Sequence, residues 1–539
     1  MSRNPNIILI FTDEQRYDTI GAAGFPWMKT PNLDRMIKEG CLFTNAYTPN
    51  PVCIPARHNL ITGLTARYHG YPNNESYPYT ADLPVLPKLL SNAGYETRAI
   101  GKMHFHPVRR HHGFDKMELM EEIPIYREWD EYAMYLKEKG YGSIINIHGV
   151  RNLLYHAAQR SLMPEEHHPS NWVGDRAADF LRTNRGRHPF FLKASFIAPH
   201  PPFHVPDSYA DMYLDAELPV PRTSETPLSP AAQRRSPDLG MPHVRGIRRS
   251  KEFYHAAVSL VDFNTGKILS ALEETGELEN TMIIYTSDHG DFIGDYGLFD
   301  KQLPYDSCAK IPLIIRYPGI FKPGSRFEAF ADLNDILPTI LQTAGIKYPG
   351  PELPGESLAP GNCRKDRSYQ YIEHAAGSQR WISLRNKTHK FNYYFAGGYE
   401  ELFDMQKDPC ESVNLLHGKY SQEITDIRDE LYKMLCSYEE RWGLPGMTYK
   451  GQLLVLEKPE ELKIKNRVNP QFQSFHTRLT DQPEKSGMND FFSEMFNASC
   501  KENKYYKLGD LNLEQWKENC ARAGLDAEPV IKKIRKSIL

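Results

Sequence analysis

The stretch NIILIFTDEQR, residues 6–16, decides how the chain folds. Its first half is an unbroken apolar run rich in β-branched residues, with none of the polar alternation of a strand that has one wet face. Such a run reads as a strand buried on both sides, the kind found in parallel sheets covered by helices. It gives way at once to Asp13 and Glu14. Carboxylates at the C-terminal end of a buried strand lie where open α/β sheets collect their ligands. Taken alone, Asp13 suits a helix cap or a solvated loop equally well.

The same logic recurs along the chain. Residues 31–40 read as a helix with Pro31 at its start and Gly40 at its end, followed by a strand at 41–46. A helix over 86–92, stopped by Gly94, precedes a strand at 95–100, after which come Lys102 and His104. Residues 105–175 read as an insertion that shapes a pocket, and HPVRRHHGF within it as either a metal cluster or a solvated loop facing substrate. A helix over 172–181 leads to a strand at 189–197 and then to His200. Residues 216–250 read as a long loop without periodicity. A helix over 253–272 leads to a strand at 281–286, which ends in Asp288-His289. A strand at 311–316 and a helix at 335–345 follow. Near residue 375 the pattern changes to short strands with tight turns, at 381–384, 389–395 and 401–404, and then a helix over 421–437. The expected fold is α/β, with a large central, mostly parallel or mixed sheet flanked by helices. A smaller C-terminal antiparallel-sheet α+β subdomain follows it. The boundaries fall at 1–375, 376–445 and 446–539, the last segment packing on the main domain or on a neighbouring subunit.

A second stretch carries the chemistry. In TPNPVCIPARHNLITGL, residues 48–64, Pro49, Pro51 and Pro55 oppose regular structure early on, and 58–64 can run as a helix. Cys53 then lies at or near a helix N-terminus, whose unpaired N–H groups and dipole suit an anion. A cysteine there is either a nucleophile of lowered pKa or a small buried apolar residue.

Cys53-x-Pro55-x-Arg57 resembles the signature of the type I, formylglycine-dependent sulfatases of the alkaline-phosphatase superfamily. The resemblance covers about residues 5–440, with the motifs in family order, and implies the fold described above. It implies that a sulfatase-maturing enzyme oxidises Cys53 to formylglycine (3-oxoalanine), an aldehyde whose hydrate attacks sulfur, with Arg57 in support. Asp13 and Glu14 match the first half of the family's metal site, although Asp is usual where Glu14 stands. Asp288-His289 resembles the second half, and residue 53 completes the set. Ca²⁺ is the implied ion, with Mg²⁺ or Mn²⁺ as alternatives. Lys102-x-His104 resembles a second family motif, in which the lysine contacts sulfate and the histidine helps expel it. Lys301 matches another sulfate-binding lysine. His200, in a Pro-His context, matches the residue that touches the ester oxygen and acts as general acid.

The implied substrate is a small-molecule or oligosaccharide sulfate ester, a sulfated carbohydrate above a simple aryl sulfate. Asn73 and Asn74 are candidate substrate contacts. Arg109–His112, Arg234, Arg235, Arg245, Arg248 and Arg249 either meet an acidic sugar or serve solubility. Two other readings stay open. One is a phosphonate monoester or phosphodiester hydrolase of the same superfamily, a branch that lacks the Lys-x-His pair. The other is a silent sulfatase fold used for binding.

Composition sets the outer limits. The chain has 539 residues, 40% hydrophobic and 25% charged, with a formal net charge of −3. No global positive field favours nucleic acid or an anionic membrane. The eight cysteines show no zinc spacing and indicate no disulfide framework. No run reaches membrane-spanning length, and no leader is legible, so the expectation is a cytoplasmic protein, or an exported one whose signal has been removed. A homo-oligomer is compatible with all of this.

Overall fold

The computed structural model describes residues 4–74, 83–105, 107–124, 126–150, 158–235, 244–360 and 367–458. An eight-stranded sheet organises the larger part. Its strands lie in the order Ser325–Asp332, Cys41–Tyr47, Leu313–Arg316, Thr281–Ser287, Asn6–Asp13, Phe190–Pro199, Glu96–Gly101 and Lys116–Leu119. Neighbours run parallel except Leu313–Arg316, which is antiparallel to both of its partners.

The strand Asn6–Asp13 sits near the middle and is buried along its whole length. Ile8 and Ile10 point into one core, shared with the helices Pro31–Glu39, Pro169–Asn184 and Val244–Glu274. Ile7, Leu9 and Phe11 point into the other, shared with Cys53–Thr62 and Ile336–Thr343. Each side chain of the apolar run therefore has a dry face to fill, which is why the run does not alternate.

The second sheet is antiparallel: Gln370–His374, Trp381–Arg385, His389–Tyr394 and Tyr399–Asp404. The helix Gln422–Trp442 covers it through Leu431 and Leu435. Buried Arg380 donates to Glu373 at 2.8 Å and to Glu439 at 2.7 Å, pinning that helix to the sheet.

Several expectations shift. The first strand of the second sheet lies upstream of the 375/376 boundary, because Gln370–His374 pairs with Trp381–Arg385. The loop expected over 216–250 contains the helix Pro230–Arg235 and the start of the long helix Val244–Glu274. That start is polar, held by Arg248 and Arg249 each donating to Glu252, so apolar spacing did not disclose it. Ser325–Asp332 and Lys116–Leu119 are strands without a sequence expectation. Of the extension expected over 446–539, residues 459–539 lie outside the described residues. Among the described residues, no helix is long and apolar enough to cross a membrane.

Candidate active site

Strands that are distant in sequence end side by side, and residues at and just past those ends meet. Asp13 closes one strand and Glu14 follows it, Lys102 follows a second, His200 a third, Asp288 and His289 a fourth. Gly101 permits the approach. Its φ is +98°, and a Cβ there would lie 1.9 Å from the Ser195 carbonyl oxygen, so only glycine fits where the chain turns into Lys102.

The helix Cys53–Thr62 closes the cluster from one side and is buried throughout. It begins at Cys53 itself, earlier than the expected start at residue 58. Pro55 falls in the first turn, where a missing N–H costs no intrahelical bond. Val52 offers no side-chain cap; instead Asn74 Oδ1 accepts from the Ile54 N–H at 3.0 Å. Asn74, expected to meet substrate, thus serves this helix end, and Asn73 lies half-buried beside it.

Arg57 ties the strand ends together. Nη2 donates to Asp13 Oδ2 and to Asp288 Oδ2, each at 3.0 Å. Nη1 donates to the Lys102 carbonyl at 2.8 Å and to Ser195 Oγ at 3.1 Å. The guanidinium is wholly buried with both carboxylates. Cys53 Sγ stands 3.7 Å from Asp13 Oδ1 and 3.3 Å from His289 Nε2. Burial and Asp13 push the thiol up, but Lys301, Lys102 and His289 outweigh them and bring it down to about 6. Asp13 is held well below the usual carboxylate range: burial opposes this, and Lys102, His200, Arg57 and Lys301 overcome it.

Glu14 has partners for one carboxylate oxygen and none for the other among the described residues. Its backbone φ is 63°, and its N–H donates to Asp288 Oδ1 at 3.1 Å. Its carboxylate turns toward Lys301 Nζ, which pairs with Oε1, and toward His200 Nε2 at 3.1 Å. Burial first, and then Asp291 and Asp13, raise Glu14 well above its ordinary value against the pull of Lys301. His200 Nδ1 lies 2.5 Å from the Pro201 carbonyl, which makes it the N–H donor and leaves Nε2 as an acceptor 3.1 Å from Lys301 Nζ. Burial holds this imidazole well below the usual histidine range.

His104 is half-buried with a φ of 52°. Its N–H and that of Met103 are both accepted by Glu121. Its Nδ1 has no hydrogen-bond partner among the described residues. Among the described residues of HPVRRHHGF, 107–114, none joins a candidate metal cluster; they form a turn-rich loop with Pro107 and His111 exposed and His112 and Phe114 buried. His112 packs against Phe105 and His58, with ring centroids 4.2 and 5.5 Å apart. Arg109 pairs with Glu131, and Arg235 with Asp300, so these cations are already satisfied within the chain.

Three acids escaped sequence reading. Glu121 positions the Lys102–His104 backbone, Glu122 Oε2 pairs with Lys102 Nζ at 2.5 Å, and Asp291 faces Glu14. Asp291 lies three residues past Asp288, a signal within reach, whereas Glu121-Glu122 follows a short polar strand that the sequence does not disclose.

The donor set suits a hard divalent cation. Oxygen atoms of Asp13 and Asp288 cluster with His289 and Cys53, and a second group joins Asp13, Glu14 and His200. Glu14 Oε2 and Asp291 Oδ2 are buried carboxylate oxygens with no donor among the described residues, which a cation or a shared proton satisfies.

Comparison with known proteins agrees with this geometry. The Sulfatase family model matches residues 5–346, and the model for the C-terminal part of N-sulphoglucosamine sulphohydrolase matches 294–440. An arylsulfatase of Clostridium perfringens is 34% identical over 474 residues, covering 83% of this chain and 98% of that protein. An N-acetylglucosamine-6-O-sulfatase of Bacteroides thetaiotaomicron is 29% identical over 488 residues, covering 80% and 87%. Among solved structures, a phosphonate monoester hydrolase from Silicibacter pomeroyi superposes with a TM-score of 0.69 at 22% identity, covering 84% of this chain and 99% of its own.

Proposed function

The chain belongs to the sulfatase family, and on that premise we propose that it removes sulfate from a sulfated carbohydrate, using a formylglycine derived from Cys53 and a divalent cation, calcium foremost. The observation that supports this reading best is the convergence of Cys53, Arg57, Lys102 and Lys301 on one buried group of acids. When present, the formylglycine hydrate supplies an oxygen nucleophile, and the cation, held by Asp13, Asp288, His289 and Glu14, supplies Lewis-acid stabilisation.

The chain's own residues do the rest. Arg57 fixes Asp13 and Asp288, and Asp13 in turn stands beside the residue 53 side chain. Lys102 and Lys301 hold sulfate oxygens whose charge grows toward the transition state. His200 Nε2 stands at the leaving oxygen, with the Lys301 ammonium beside it as the reservoir from which a proton reaches the departing alcohol. His104 Nδ1, which lacks a partner among the described residues, would accept the hydroxyl proton of a sulfated residue 53 as sulfate departs.

The carbohydrate assignment draws on the sugar sulfatase among the relatives and on two exposed aromatic rings, Tyr126 and Trp129, packed edge to face at 4.7 Å shortly after Glu122. Exposed rings of that kind stack on sugar faces. A maturing enzyme is a required partner. The phosphonate hydrolase reading shares the fold, but Lys102 and His104 oppose it. The silent-binder reading expects a lost site, whereas the assigned residues are present with Glu14 as the one departure from the family pattern; turnover of any sulfate ester removes that reading.

The test uses one preparation with residue 53 characterised by peptide mass spectrometry, assayed on an aryl sulfate and an aryl phosphonate monoester, then on a panel of sulfated oligosaccharides. Sulfate turnover that scales with formylglycine content supports the proposal. Preference for the phosphonate replaces it with the superfamily alternative.

A further inference from the structure

Glu122 has no place in the chemistry above, yet it reaches into the same pocket. Its carboxylate spans two assigned residues: Oε2 lies 2.5 Å from Lys102 Nζ and Oε1 lies 3.4 Å from His200 Nε2. It is 8% exposed. It comes from the loop after the edge strand Lys116–Leu119, where neighbouring Glu121 is already used to hold the Met103 and His104 backbone. The loop therefore places one acid behind the Lys102–His104 turn and a second acid within it.

A lysine ammonium has three hydrogens. Asp13 and Glu122 each engage the Lys102 ammonium, which leaves one hydrogen to donate to a bound oxyanion. The hydrogen bond to substrate survives, but the net positive field of Lys102 does not, because two carboxylates already sit on it. A low-dielectric site magnifies the consequence. An anion at the end of that third hydrogen lies close to the fixed negative charge of Glu122.

The geometry points to Glu122 as a specificity-determining residue that restricts the pocket to singly charged tetrahedral esters and disfavours doubly charged ones. This rests on the sulfate-ester reading and deepens it. A sulfate monoester or an uncharged-tail sulfonate carries one negative charge; a phosphate monoester or an alkylphosphonate above its second ionisation carries two. The shape is the same and the charge differs. Each added unit of ligand charge interacts with Glu122, so the second charge is repelled in addition to whatever the first one meets. At the separations of neighbouring groups in a pocket and an effective dielectric near 20, one further like charge amounts to about a tenfold to hundredfold loss in affinity.

The probes are methanesulfonate and methylphosphonate, alike in shape and different in charge, titrated by thermal shift into the metal-loaded protein at a pH where the phosphonate is a dianion. Turnover of 4-nitrophenyl sulfate and 4-nitrophenyl phosphate is measured on the same preparations. In Glu122→Gln, which keeps the size and the hydrogen-bonding oxygen, methylphosphonate should bind about tenfold tighter or more. Methanesulfonate, with one charge instead of two, should tighten by about the square root of that factor, and the phosphate-to-sulfate ratio of kcat/KM should rise in step. Glu122→Asp, which keeps the charge, should retain the discrimination of the original protein and controls for folding. Equal shifts for both anions in Glu122→Gln, or a lost discrimination in Glu122→Asp, would overturn the assignment while leaving the sulfatase reading intact. Failure of the original protein and both variants to bind either anion would overturn both.

Discussion

Lys301 Nζ stands 3.1 Å from His200 Nε2, and the same ammonium is paired with Glu14. His200 donates from Nδ1 to the Pro201 carbonyl, so only Nε2 faces the pocket. On the proposed function, the pair would act as one unit at the leaving oxygen. Removing either member should matter in proportion to how badly the leaving group needs a proton. For His200→Ala and Lys301→Ala we expect losses of about 10²–10⁴ in kcat/KM for sulfates of weakly acidic alcohols. Esters of acidic phenols should lose far less. A series of aryl sulfates of graded leaving-group acidity reads this as a steeper dependence in the variants. A uniform loss across the series would assign the pair to sulfate binding alone.

Arg57 is expected to be as important for stability as for activity. It satisfies Asp13 and Asp288 inside a dry cluster, where an unpaired carboxylate is costly. Arg57→Ala should lower unfolding free energy by about 3–5 kcal/mol. Arg57→Lys keeps the charge but cannot reach Asp13, Asp288, Ser195 and the Lys102 carbonyl together, so it should recover part of the stability and little of the turnover. Denaturant titration of both variants beside their kinetics separates the two effects. Equal stability of Arg57→Ala and the original protein would mean that the acids are satisfied by other groups.

Much of this cluster was legible because each contributing strand announces itself. Asn6–Asp13, Phe190–Pro199 and Thr281–Ser287 are apolar runs that stop abruptly at a charged or histidine-bearing turn. Residues past those stops were placed together by the rule that an open sheet gathers ligands at its strand ends. Glu121 and Glu122 escaped because their strand, Lys116–Leu119, is a short edge strand with polar residues at two of four positions. The start of the helix Val244–Glu274 escaped because arginine–glutamate pairs, not an apolar stripe, hold it. The aim of Glu14 was not readable at all: it depends on a left-handed backbone at that residue, which a sequence of ordinary side chains does not betray.

Gly101 gives a backbone test of the same architecture. A Cβ at this position would collide with the Ser195 carbonyl, and the positive φ strains any other L residue. Ser195 also supplies a hydroxyl to Arg57. Gly101→Ala should therefore push the Glu96–Gly101 and Phe190–Pro199 strands apart at the site, lowering both the melting temperature and the turnover. An alanine variant with an unchanged melting temperature and unchanged kinetics would show that the strand ends are not packed this closely.

Stability should fall on acidification, and His58 identifies one cause. It lies in the buried signature helix, its Nδ1 2.8 Å from the Ile54 carbonyl, and its ring stacks on Tyr71 at 4.2 Å. Burial, then the neighbouring Lys193, His104 and Arg110, hold it down to about 3, and burial with His58 and Arg110 holds His112 to about 2. In the unfolded chain both titrate near 6.5. Between those values the unfolded state takes up protons that the folded state refuses, so the stabilisation is complete above about pH 6.5 and declines as the pH drops toward 3. Each such group contributes a slope of about 1.4 kcal/mol per pH unit in that window. His58→Asn keeps a donor for the Ile54 carbonyl and removes one titrating ring. It should be less stable than the original at pH 7.5, through lost packing against Tyr71, yet lose stability less steeply between pH 6.5 and 5.5. Denaturant midpoints across that range measure the two slopes. Identical slopes would mean that the His58 ring accepts a proton without unfolding, which its burial beside His112 and Lys193 argues against.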